Sequence, residues 1–339
     1  MRWRVVHVLA VAVLVFSAAA WAEDPVAYVT EIQRDGTGGA LVRLAAGDGQ
    51  FHPAQPLLAL RRGDEIRVSG NGQVVLLYHA GSGTRRITRA DSPFTVGSPP
   101  PVAADARLRD LLATVGEVLR KQDSTSKRTA AVRGAAASVK LVSPRSTRLL
   151  PGPLVFEWAG GDGARHAIRL TGPGGRVVWE ARNVTSPPVT YPADAPRLVA
   201  GDQYTWEVET PGLLAEPAWF QILTEREARR VRELLGVLNG DTHDGYSRGT
   251  IPLMRAAVLV NEGLYADARR ELSAAVAMNP VEPSYQMLLA NVYERIGLTD
   301  WASAACERAL ALAGIASGTR TGSSSSPCRR YLAAEATPR

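Results

Sequence analysis

Cysteine is nearly missing: Cys306 and Cys328 are the only two in 339 residues. So few exclude a disulfide-built scaffold, a four-cysteine zinc site and an iron–sulfur cluster. Histidine is as sparse, with five in the chain. Beyond the N-terminal segment, His52, His79, His166 and His243 are scattered without ligand spacing, so neither a metal nor any other cofactor is expected. The chain also lacks a Gly-x-Ser-x-Gly elbow, a phosphate-binding Gly-rich loop and a His-Glu-x-x-His helix. An enzyme is therefore not expected. The one dense polar cluster, Asp241-Thr242-His243-Asp244, reads as a solvated loop. Long apolar runs are absent after residue 22, which excludes a polytopic membrane protein. Lysine is rare as well, three residues against 36 arginines, and this bias reads as codon usage in a GC-rich genome.

Hydrophobic residues make up 45% of the chain, with a net charge of +6 and a mean hydropathy of -0.07. That is enough apolar surface for real cores. The positive charge does not gather on a folded unit. Residues 23–101 carry eight basic against eight acidic side chains, and 139–223 carry eight against eight. Binding that follows phosphate charge needs a basic face, so nucleic acid is not an expected partner.

The N-terminus has the layout of a secretory signal. Arg2 and Arg4 precede an apolar run from Val5 to Ala19, and Ala20-Trp21-Ala22 fits the small-x-small cleavage rule. The expectation is cleavage after Ala22 and release, without a membrane span, into an oxidising compartment. No cysteine stands near the cleavage site to carry a lipid anchor.

From residue 26 to 96 short apolar segments alternate with Gly, Asp and Asn turns, which predicts a small all-β unit. The segments Leu60-Arg61-Arg62-Gly63-Asp64-Glu65-Ile66, Val74 to Tyr78, and Arg86-Ile87-Thr88 through Phe94-Thr95-Val96 resemble the FecR domain. This resemblance implies a periplasmic envelope protein with a sensing or scaffolding role. The family's regulators carry a cytoplasmic segment and a membrane helix ahead of the domain; here only a signal precedes it, which argues against direct sigma-factor control. Gly97 to Pro101 is a stiff break. Leu108, Leu111, Leu112, Val115, Val118 and Leu119 then recur at helical spacing, and 123–138 reads as a linker.

Alternation returns between 139 and 223. Leu154, Phe156 and Trp158 share one face of a strand, and Tyr204, Trp206 and Val208 share one face of another. About seven such strands resemble an immunoglobulin-like or fibronectin type III sandwich. Trp158, Trp179, Trp206 and Trp219 raise a second reading, stacking on cell-wall polysaccharide, although aromatics at this period usually form the core.

Helical signals begin with Thr224 and Glu227, a capping box. A 34-residue period follows: Ala256 with Ala290, Leu259 with Tyr293, Gly263 with Gly297, Ala268 with Ala302, Leu272 with Cys306, Ala275 with Ala309. It resembles the tetratricopeptide (TPR) repeat, in two copies over 249–282 and 283–316, after a capping helix and before a flexible tail at 317–339. The expected fold class is thus multidomain: an all-β FecR-like domain, a helical linker, an all-β immunoglobulin-like sandwich and all-α TPR repeats. The repeat resemblance implies a concave groove lined by Leu253, Ala257, Val260 and Asn261, then Met287, Asn291, Glu294 and Arg295. Such a face suits an extended segment of an envelope protein. Cys306 reads as a small core residue, and whether it bridges to Cys328 is open.

Overall fold

The computed structural model describes residues 24–36, 38–78, 83–97, 106–122, 138–239 and 246–315. The signal segment, all of the 123–138 linker but Ser138, the tail at 317–339 with Cys328, the Asp241–Asp244 cluster and His79 lie outside these residues. Among the described residues no helix is long and apolar enough to cross a membrane.

The first unit holds β1 (Ala27–Gln33), β2 (Ala40–Arg43), β3 (His52–Pro53), β4 (Ala59–Leu60), β5 (Glu65–Val68), β6 (Gln73–Tyr78), β7 (Thr84–Thr88) and β8 (Phe94–Thr95). They form two four-stranded sheets, in orders β4-β1-β6-β7 and β3-β2-β5-β8. The Gly63-Asp64 turn shows why those two residues stand there. Gly63 has φ +86°, a region that favours glycine, and buried Asp64 accepts from the N–H groups of Ala45 (2.8 Å) and Arg61 (2.7 Å).

Helix α1 (Ala106–Gln122) follows. The second β unit then contains β9 (Ser138–Ser143), β10 (Thr147–Leu149), β11 (Val155–Ala159), β12 (His166–Thr171), β13 (Val177–Val184), β14 (Val189–Thr190), β15 (Gln203–Glu209), β16 (Leu214–Ala215) and β17 (Ala218–Ile222). Its sheets run β10-β17-β15-β12-β13 and β14-β11-β9-β16. The alternating residues Phe156, Trp158, Tyr204, Trp206 and Val208 fill the space between them. Trp206 is fully buried and its indole N–H donates to the Pro144 carbonyl at 2.6 Å.

Five helices close the described chain: α2 (Glu225–Gly236), α3 (Thr250–Asn261), α4 (Tyr265–Met278), α5 (Pro283–Arg295) and α6 (Thr299–Ala313). Thr224 caps α2 with a reciprocal bond to Glu227. Gly263 and Gly297, at φ +74° and +81°, follow the ends of α3 and α5. Cys306 is buried and disulfide-bonded.

Here the expected fold class is corrected. The chain is a mixed α/β arrangement, four sheets and six α-helices among the described residues, and the C-terminal helices are not a separate all-α repeat stretch. One hydrophobic core runs from β1 and β6 through α1 into α2, α3, α5 and α6. The cause is legible in α3 itself. Eight of its twelve residues are buried, and a helix apolar around most of its circumference needs cover on several sides. Helix α4 supplies one side; α1 and β1 supply the others.

The sandwich is fastened to the opposite ends of the same helices. The backbone N–H of Arg148 donates to the Gly263 carbonyl (2.9 Å), and its guanidinium donates to the Glu262 carbonyl (3.3 Å) and pairs with Glu227. Three residues earlier, Arg145 Nε donates to the Ile296 carbonyl at 2.9 Å. Both arginines thus sit where the unpaired carbonyls and negative dipole ends of α3 and α5 lie. We expect Arg145→Ala to lower stability by about 1–2 kcal/mol in denaturant melts, since a charged donor at a helix end is worth roughly this much.

Candidate functional site

A cleft of ≈ 440 Å³ opens between α4, α5 and α6. Helix α5 supplies its floor, Gln286 and Leu289, both buried. One wall is aromatic: Trp301, in the first turn of α6, meets Tyr293 edge to face with ring centres 5.4 Å apart. That pair belongs to a small cluster with Val142, Ile296 and Leu298, so the sandwich stiffens this wall from behind. Ser273 of α4 and Arg308 of α6 complete the rim.

Charge within the cleft is uneven. Asp300 is held by Lys140 of β9 at 2.5 Å, which leaves its acidity largely compensated. Arg308, exposed, makes no ion pair or hydrogen bond among the described residues. Burial raises the Tyr293 hydroxyl above its ordinary value, against the pull of Arg269 and Arg308. Arg269 is itself turned to Glu157 of the sandwich at 2.5 Å. The Gln286 side chain makes no hydrogen bond among the described residues, and its amide atoms are not sealed from water. A ligand offering a donor or acceptor can take the place of water on that amide.

The eight residues expected to line a groove are placed differently. Leu253, Ala257, Val260, Met287 and Asn291 are buried. The first four belong to the shared core, because α1 packs along α3 and β1 packs on both α3 and α5. Asn291 turns its carbonyl oxygen to Arg295 Nε at 2.9 Å, and that guanidinium lies over the Tyr265 ring. Asn261 is exposed and Glu294 and Arg295 are partly so. Among the described residues the chain's own β1 and α1 pack against that side of α3. The cleft of α4–α6 lies elsewhere, and sequence reading passed over Gln286, Trp301 and Arg308. Gln286 is one of several polar residues in the buried run Pro283–Val292, and nothing in the sequence singles it out.

The histidines in the described residues are engaged locally. His166 is buried against Thr210 at 2.7 Å, and His52 of β3 pairs with Asp48 of the preceding turn at 2.8 Å. The Asp48 carboxyl is held low by the Gln50 N–H first and by His52 second. No group of three His, Cys, Asp or Glu side chains converges among the described residues. Of the four tryptophans considered for sugar stacking, Trp158 and Trp206 are core, Trp179 stacks on Phe156 at 5.7 Å, and Trp219 is 39% exposed. No protein-family model and no curated protein matches the chain.

Proposed function

We propose that this protein is a non-catalytic scaffold or sensor accessory of the bacterial periplasm, and that its α4–α6 cleft holds an extended peptide segment of another envelope protein. The observation that supports this reading is the cleft itself, with the Gln286 amide at its floor and the Tyr293–Trp301 pair as its aromatic wall. A peptide backbone can hydrogen-bond the Gln286 amide, an apolar side chain suits the aromatic wall, and Arg308 at the rim suits an acidic group. The periplasmic location rests on the export signal and on the resemblance of residues 60–96 to FecR domains.

Photo-crosslinking in cells, with the reactive group at Ala304 inside the cleft or at exposed Asn261, tests this. A discrete adduct from Ala304, absent from Asn261, is expected. Trp301→Ala should weaken that capture at least tenfold, as loss of an aromatic anchor does. Equal adducts from both sites, or capture indifferent to Trp301→Ala, would refute it. Trp219 is the most exposed of the four tryptophans considered for the cell-wall alternative, so retention of the chain on purified peptidoglycan that Trp219→Ala abolishes would favour it.

A further inference from the structure

Strand β1 meets the starts of α3 and α5 at a seam built from carboxylates and hydroxyls. A bulge between Val29 and Glu31 takes Thr30 out of the ladder with β6. Its hydroxyl lies 3.0 Å from that of Thr250, and Thr250 donates to Glu31 Oε1 at 2.8 Å. The Glu31 carboxylate covers Gly249 so closely that a Cβ there would lie 2.7 Å from it. Beside it, Glu282 is 4% exposed. Its two oxygens accept from the Ile32 N–H (3.2 Å) and the Ser284 N–H (2.9 Å), tying a strand backbone to the N-terminus of α5. Tyr285 donates to the Gly249 carbonyl at 2.7 Å and links the two helix starts.

The titratable groups facing Glu282 are Glu31 from β1 and Tyr285 from its own helix. Among the described residues no lysine, arginine or histidine forms an ion pair with it. A buried carboxylate without a cation resists ionisation.

We propose that this seam is a proton-operated latch: with a proton at Glu282, β1 stays docked on α3 and α5, and loss of the proton loosens the docking and uncovers the helix face that Leu253 and Met287 now bury. Burial, with repulsion from Glu31, pushes Glu282 from 4.5 up to about 8. An opened seam returns Glu282 to its ordinary range. Between those two values the docked form keeps a proton that the opened form has lost. Docking therefore weakens as pH rises across that window, by up to about tenfold per pH unit, and changes no further above it.

Amide hydrogen exchange on the full chain, corrected for intrinsic rates, tests this. From about pH 6 to about pH 9, protection of 27–33 and 283–295 should fall at least tenfold while that of β15 holds. In Glu282→Gln, which is neutral and keeps an acceptor for Ile32, protection should stay flat. Unchanged wild-type protection, or the same fall in Glu282→Gln, would overturn the latch. Should Glu282→Gln not fold, Glu31→Gln decides: with one repulsive neighbour removed, the midpoint of the fall must move to lower pH, and an unmoved midpoint overturns the proposal.

Discussion

Expressed as residues 224–339 alone, the helical segment should show no cooperative thermal transition and no fixed near-ultraviolet dichroism. In the full chain α3 is enclosed by α4, α1 and β1, and Leu253, Met254 and Val258 have no exposed surface. Removing the first β unit and α1 returns part of that surface to water. Exposing even two or three such side chains costs roughly 3–9 kcal/mol, the scale of a whole domain's stability. The seam polar groups lose their partners too, Glu282 among them. Secondary structure should survive in part, as in compact states that have lost specific packing. A sharp calorimetric transition from the fragment, within a few degrees of the full chain's, would show that the helices form an independent unit.

Trp206→Ala should cost the sandwich about 3–5 kcal/mol, the range for emptying a core aromatic site. Its ring lies 4.9 Å from that of Phe156, so the cavity would open in the middle of the layer. The Pro144 carbonyl would also lose its donor. Trp219→Ala on β17 is the control. That side chain faces outward, and a surface substitution of this kind usually changes stability by less than about 0.5 kcal/mol. Chemical denaturation followed by the remaining tryptophans distinguishes the two. Similar losses from both would place Trp219 in a contact that the sandwich alone does not explain.

Local chemistry was legible from the residues. The alternation of Tyr204, Trp206 and Val208 marks one buried face of β15, and all three are buried. Thr224 and Glu227 make the reciprocal cap that their spacing implies. What single-sequence reading missed is long-range cover. Glu282, Arg145 and Arg148 look like solvated polar positions, because nothing local distinguishes a carboxylate bound for a strand backbone from one in water. The partner of Glu282, Ile32, stands 250 positions away. The warning lay in α3, Thr-Ile-Pro-Leu-Met-Arg-Ala-Ala-Val-Leu-Val-Asn. Repeat spacing assigned one of its faces to a partner, whereas its composition leaves too little polar surface for any open face. For the same reason Leu253, Ala257, Val260 and Met287, expected to line a groove, lie in the shared core.

Helices α3 and α5 run side by side from Glu31 and Glu282 at their starts to Arg148 and Arg145 at their ends. At twelve and thirteen residues they span roughly 18 and 20 Å, so the two β units are held apart as if by the jaws of a caliper. Their separation is a sequence-encoded length. One extra turn in α3 alone would push Gly263 about 5.4 Å past Arg148 while Ile296 stayed at Arg145, and the sandwich would have to tilt or let go of one helix. An equal extension of both helices would keep each arginine on its carbonyl and move the sandwich outward as a whole. Insertions in this stretch are therefore tolerated in matched pairs, and a lone insertion converts a length change into a rotation.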